Sequence, residues 1–316
     1  MAMPLVETKN LKKYFKTGAG MLHAVEDVNL KIMPGKTLGV VGESGCGKST
    51  LGRTILRLQP ATAGEVLYNG ENILKYKGKD MQKIHLNMQM VFQDPYSSLD
   101  PRMSVHNLIA EPVQVCGLLK TKAEINEHVR EIMDMCGLPA DQANLFPHEL
   151  DGGLRQRVGL ARAMAVSPKF IVCDEPVSAL DVSIQAQILN LLMDLQEQRG
   201  LSYMFITHDL CVVKHISDEI MVMYMGQVVE HAKTAELFAN PVHPYTKALL
   251  HAVPTIDLSR RNREGFMLRG EVTSPINPAP GCRFAPRCPY ATDKCKENVC
   301  LKEVSPDHFV ACSLCD

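Results

Sequence analysis

The run Gly42–Thr50, Gly-Glu-Ser-Gly-Cys-Gly-Lys-Ser-Thr, satisfies the phosphate-binding pattern G-x-x-x-x-G-K-S/T in full. Thr37–Val41 before it is a short apolar run that reads as a buried strand. Ser49–Leu58 behind it has helical spacing, with Leu51, Ile55 and Leu58 on one face. A strand that turns on glycines into a helix aims several backbone N–H groups, and the positive end of the helix dipole, at one point. Gly42, Ser44, Gly45, Cys46, Gly47, Lys48, Ser49 and Thr50 are therefore the candidate phosphate ligands. Lys48 would add charge beside the β- and γ-phosphates, and the Ser49 hydroxyl would ligate Mg²⁺. Such a chain must build a nucleotide site on an α/β core.

The remaining segments are arranged around that core. Leu5–Phe15 and His23–Ile32 read as strands joined by a loop at residues 17–20, and Glu65–Ile73 reads as a hairpin because Asn69-Gly70 suits a type I′ turn. These make a separate antiparallel subdomain. Phe15 stands where an adenine-stacking aromatic is needed. Leu86–Phe92 alternates and reads as a strand. Val105–Cys116, Lys122–Cys136 and Leu154–Val166 have helical periodicity and form a helical insert, about 97–165. Phe170–Cys173 and Tyr203–Thr207 are buried strands flanking a helix at Ile184–Gln198, and Ile220–Tyr224 with Gln227–Glu230 make a closing hairpin. Periodicity fades from Pro254, which predicts an ATP-binding domain over 1–255 and a Cys-rich, irregular extension over 256–316.

Composition narrows the function. A formal net charge of −1 provides no basic field to attract nucleic acid or anionic lipid. No apolar run approaches the roughly 18 residues of a membrane span. The opening residues lack a signal-peptide core. The expected place is the cytosol, with membrane association through a partner.

Asp174 and Glu175 follow a buried strand, the position of a Walker B pair. Asp174 would hold Mg²⁺ through water, and Glu175 would polarise the attacking water. Gln93 could touch both Mg²⁺ and that water. His208, closing another buried strand, could reach the γ-phosphate. The Gly152-Gly153 pair opens a helix, a second anion-binding N-terminus. Taken together, Gly42–Thr50, Gln93, Leu150–Gln156, Cys173–Asp181 and Thr207–Asp209 resemble an ABC-transporter ATP-binding subunit over residues 5 to about 253. Gln93–Arg102, Glu175–Gln185, Asn240–Leu250 and the tail Pro280–Tyr290 further resemble the dipeptide/oligopeptide importer ATPases, and within them the second, F-type, subunit.

The resemblance implies a P-loop NTPase fold and ATP hydrolysis coupled to peptide import. ATP would be sandwiched between this chain and a second, non-identical ATPase, with Asp151, Gly152 and Gly153 facing the partner's nucleotide. It also implies two membrane permeases, an external or periplasmic peptide-binding protein acting indirectly, and a place on the cytoplasmic face of the membrane. A nickel-chelate importer and a soluble ABC ATPase acting on ribosomes or DNA are the competing readings. One cassette and a neutral balance count against the latter.

This chain departs from the family signature Leu-Ser-Gly-Gly-Gln, having Asp151 for Ser and Leu154 for Gln. Asp caps a helix as well as Ser does, so the fold should not change. A carboxylate, however, cannot donate to a phosphate and repels it.

Six of the eleven cysteines fall between Cys282 and Cys315. In a reducing compartment that clustering favours ligation over disulfides. Only Cys312 and Cys315 have the two-residue spacing of the tightest zinc knuckle, so zinc ranks below a cubane cluster wrapped by widely spaced thiolates. The resemblance implies that Cys282, Cys288, Cys295 and Cys312 hold a 4Fe-4S cluster that staples a coreless tail. Cys46, inside the phosphate loop, is expected to link its alkylation to loss of ATP binding.

Overall fold

A computed structural model of the chain describes residues 3–252, 274–297 and 299–315. The boundary expected near residue 255 lies outside them. The chain divides into two compact units, Met1–Lys75 with Phe205–Asp316, and Tyr76–Met204.

The first unit begins with β1 (Val6–Thr17), β2 (Gly20–Ile32), β3 (Thr37–Val41), α1 (Lys48–Ile55), β4 (Ala63–Tyr68) and β5 (Glu71–Asn72). β1 pairs antiparallel with β2 and β4 in a four-stranded sheet of order β2-β1-β4-β5. Asn69 and Gly70 take positive φ (48° and 80°) between β4 and β5, the two-residue turn that Asn-Gly encodes. All five residues of β3 are buried, as a strand covered on both faces requires.

The second unit runs through α2 (Gly78–Asn87), β6 (Met88–Val91), α3 (Pro95–Ser98), α4 (Val105–Val115), α5 (Lys122–Met135), α6 (Gly152–Met164), β7 (Phe170–Asp174) and α7 (Val182–Arg199). β6 and β7 pair in parallel. The expected strand from Leu86 is shorter, because residues up to Asn87 close α2. α4 packs on α5 and α6. Thr121 and Glu124 form a capping box that starts α5, and Gly200 in the left-handed region ends α7.

The division falls within β8 (Ser202–Thr207). Beyond it come α8 (Leu210–Ile216), β9 (Glu219–Tyr224), β10 (Gln227–Lys233), α9 (Thr234–Ala239), α10 (Pro244–His251), β11 (Lys302–Ser305) and β12 (His308–Val310). In the first unit these complete a mixed sheet ordered β11-β12-β10-β9-β3, in which β3 and β9 are parallel and the outer pairs antiparallel.

The extension is neither wholly irregular nor coreless, contrary to expectation. β12 joins β10, and Phe284 enters the core formed around Val41, Val222, Tyr224 and Tyr245. His308 and Glu230, 1% and 0% exposed, are joined at 2.8 Å, and the Glu230 carboxylate also accepts the N–H groups of Val242 (2.8 Å) and His243 (2.9 Å). A buried carboxylate is tolerable only when saturated in this way. His243, beside it, is driven by burial to about 3 and stays neutral.

Candidate nucleotide-binding site

β3 delivers Gly42 into the loop, and α1 starts at Lys48 with Gly47 as its N-cap. Gly47 has φ 105°, and a Cβ there would stand 2.0 Å from the Ala24 carbonyl, so no side chain fits. Lys48 is buried, its Nζ donating to the carbonyls of Gly42 (2.7 Å) and Glu43 (3.0 Å), which arches the loop over the lysine. Ser44 and Gly45 are exposed. Cys46 is 5% exposed, and burial pushes its thiol pKa up. A buried, protonated thiol is a poor nucleophile, so alkylation of Cys46 should be slow.

Phe15 is half-buried on β1 with Lys13 Nζ 4.6 Å from its ring centroid. The neighbouring Tyr14 is already engaged. It stacks on His23 at 4.0 Å and donates to Glu26 Oε1 at 2.6 Å. Glu26 also takes Lys12 (3.1 Å) and Arg283 (3.1 Å). Burial works against its charge, but hydrogen bonds from Tyr14, His23 and Lys12 hold its carboxyl at about 2. His208 is exposed at the end of β8, and Asp209 after it caps α8 by accepting from Cys211 N at 2.7 Å.

In the second unit the structure brings Gln93 and Glu175 together, Nε2 donating to Oε2 at 3.0 Å. Asp174 is fully buried at the end of β7, and Glu175 after it takes φ 47°, a left-handed conformation a non-glycine residue seldom adopts. Ser178 hydroxyl bonds back to the Glu175 carbonyl (3.1 Å), and Gln185 Nε2 pins the carbonyls of Val177 (3.0 Å) and Leu180 (2.9 Å), fixing the following loop. Asp151 is exposed and caps α6, its Oδ1 accepting from Leu154 N at 2.8 Å. A Cβ on Gly153 would lie 2.7 Å from Ile184, so that glycine is set by the approach of α7.

None of the eleven cysteines is joined in a disulfide among the described residues. Burial raises the Cys282 thiol to about 11 and also raises Cys288, and in both cases charge on Cys295 and Cys312 adds to the effect. Cys295 sits lower than an ordinary thiol: burial acts upward, but the Ser313 hydroxyl at 3.2 Å and Thr292 N–H at 3.5 Å outweigh it. Among the described residues no three His, Cys, Asp or Glu side chains close on a single metal ion. Cys282, Cys288, Cys295 and Cys312, expected to hold a 4Fe-4S cluster, form no such group.

Sequence reasoning did not find the two side chains that grip the loop from outside it. Tyr245 Oη accepts from Glu43 N at 2.9 Å, and Arg287 Nη1 reaches both Glu43 carboxylate oxygens at 3.1 and 2.8 Å. The signal was available in part, as two arginines, Arg283 and Arg287, inside a cysteine pair that is otherwise apolar.

Residues 25–178 match the ABC transporter family model, and residues 229–295 match that of the oligopeptide/dipeptide transporter C-terminal region. The oligopeptide transport ATP-binding protein OppF of Bacillus subtilis is 49% identical over 99% of this chain and 97% of its own length. AppF of the same organism, also an oligopeptide transport ATP-binding protein, is 47% identical over 98% and 97%. The chain belongs to the ABC-transporter ATPases, in the branch of the oligopeptide transport ATP-binding proteins. Among solved structures, this ABC ATPase is similar to the dimeric bacterial ABC transporter cassette MJ0796 (TM-score 0.66, 30% identity, 72% of this chain and 98% of that one). It is also similar to cbiO1 of Clostridium perfringens, part of the ABC transporter complex cbiONQ (TM-score 0.67, 26%, 75% and 92%). The α/β P-loop fold expected of an ABC ATPase is the fold observed.

Proposed function

We propose that this ABC ATPase powers the import of peptides, paired with a second, non-identical ATPase beneath two membrane permeases that an external binding protein supplies. The observation that carries the reading is the match of residues 229–295 to the oligopeptide/dipeptide transporter C-terminal region, in a chain whose relatives are named for oligopeptide transport along nearly their whole length. No helix among the described residues is long and apolar enough to cross a membrane. In this reading, attachment to the cytoplasmic face is through the permeases.

Within the reaction, residues 42–50 hold the phosphates, Lys48 adds a point charge, and Phe15 stacks on adenine, Tyr14 being engaged elsewhere. Glu175 takes the proton of the attacking water, Gln93 orients both, and His208 senses the γ-phosphate. Ser49, Gln93 and Asp174 offer the hard oxygen donors that Mg²⁺ takes, and the ion would neutralise charge on the β- and γ-oxygens. Asp151, Gly152 and Gly153 would face the partner's nucleotide, with Asp151 making that second site the slower of the two.

A strain lacking the chain should lose uptake of labelled peptides, regain it from a plasmid copy, and keep its nickel uptake. Normal peptide uptake in that strain would overturn the reading, and loss of nickel uptake alone would move it to nickel chelates.

Cys282, Cys288, Cys295 and Cys312 we assign to a 4Fe-4S cluster that staples the extension. Protein purified without air should be brown and carry about four irons per chain. Stoichiometric zinc without iron would refute the assignment. Iron loss on chelation should lower the melting temperature, since metal-binding energy at such a site is folding energy.

A further inference from the structure

Between Cys282 and Cys288 the extension makes one tight turn, with Ala285 N donating to Cys282 O (3.1 Å) and Cys288 N to Ala285 O (3.2 Å). Phe284 anchors it. The ring is 1% exposed and meets Tyr224 edge-on at 5.3 Å and Tyr245 at 5.4 Å. With that ring fixed in the core, the arginines on either side have little freedom. Arg283 donates to the Met225 carbonyl and to Glu26 at 3.1 Å. Arg287, also buried, donates to both oxygens of Glu43 and lies 3.4 Å from the Tyr224 hydroxyl.

Glu43 is the second residue of the phosphate loop. Its carbonyl accepts from Lys48 Nζ, and its N–H donates to Tyr245. Its side chain keeps 27% exposure while its ion-pair partner keeps 9%. A carboxylate in a loop built to receive a polyanion is a liability: unpaired, it repels the incoming phosphates and draws on the same lysine. The guanidinium, planar and permanently charged, both cancels that charge and fixes where it points.

We propose that Arg287 is a positioning residue for nucleotide binding, supplied by the Cys-rich extension, which masks the Glu43 carboxylate and holds it turned away from the phosphates. The inference rests on reading residues 42–50 as the ATP phosphate loop. It makes the extension part of the nucleotide site's electrostatics rather than an appendage that merely stabilises the fold.

The test is equilibrium binding of Mg·ATP to the full chain, with a thermal melt of each variant. Arg287→Met should weaken binding about tenfold. Adding Glu43→Gln to Arg287→Met should recover most of the loss, with Glu43→Gln alone measured as the remaining corner of the cycle. Arg287→Lys, which keeps the charge without the planar fork, should fall between. A brace that acts only through packing predicts the opposite pattern, with no recovery in the double variant. Equal affinity of Arg287→Met and wild type, or a double variant as weak as Arg287→Met, would overturn the proposal. Should Arg287→Met fail to fold, Arg287→Lys against Arg287→Lys/Glu43→Gln gives the same comparison. Wild type that fails to bind Mg·ATP at all would instead sink the nucleotide-site reading.

Discussion

Glu175→Gln in the assembled transporter should lower ATP turnover at least about a hundredfold, the usual worth of a general base, while leaving Mg·ATP affinity unchanged. The substitution is isosteric. An amide can keep a hydrogen bond with Gln93, now 3.0 Å away, and its backbone is already held at φ 47° by the Ser178 bonds to the Glu175 carbonyl. What it cannot do is accept the proton of the attacking water. Binding should survive, because the phosphate contacts proposed for the loop at residues 42–50 do not involve this side chain. Phosphate release and equilibrium nucleotide binding, measured on the same preparation, separate the two effects. Full turnover in the variant would place the chemistry at the partner ATPase's Walker residues. Loss of both turnover and binding would mean that Glu175 supports the site instead of reacting in it.

The parts legible in the sequence are those whose cause is local. β3, the phosphate loop and α1 lie in one stretch of nineteen residues (37 to 55), and each is written in composition alone: five buried residues, glycines where no Cβ fits, then a 3.6-residue period. The turn at Asn69-Gly70 and the helices α4, α5 and α6 were readable for the same reason. α2 was not. Only Ile84 among its residues is buried, so no apolar stripe marked it, and its last turn passed for the start of β6. β12 was invisible because three residues carry no period. It exists through pairing with β10 and the His308–Glu230 contact, 78 positions apart. The Arg287–Glu43 pair spans 244 positions, a distance at which a single sequence offers no constraint. Position decides function there, and position comes from Phe284 entering a core assembled by other segments. In the second unit, Gln93 and Glu175 were each identified by their strand-end context, but their hydrogen bond is a property of the folded chain.

Asp151→Ser should raise the ATPase rate of the purified homodimer by up to about a thousandfold. The physical case begins with what the change leaves alone. Asp151 caps α6 through Leu154 N, and Ser caps a helix equally well, so the melting temperature should not move. Gly153 stays under Ile184, so the helix start keeps its place. What changes is the charge that the proposed pairing presents to the opposite subunit's nucleotide. Two like charges about 4 Å apart at an effective dielectric near 20 cost on the order of 4 kcal/mol, or about three powers of ten in rate. The helix dipole and Mg²⁺ reduce that figure, which makes it an upper bound. Asp151→Asn separates the two causes, since it removes the charge and keeps a cap without restoring a hydroxyl. If repulsion dominates, Asn should recover most of what Ser recovers; if the hydroxyl matters more, Asn should stay slow. Leu154 remains in both variants, so a residual deficit against a full Leu-Ser-Gly-Gly-Gln signature is expected, and Leu154→Gln added to Asp151→Ser should close it. A wild-type homodimer that already turns over as fast as Asp151→Ser would show that the carboxylate is harmless where it stands, and the asymmetry between the two ATP sites would have no basis in this chain.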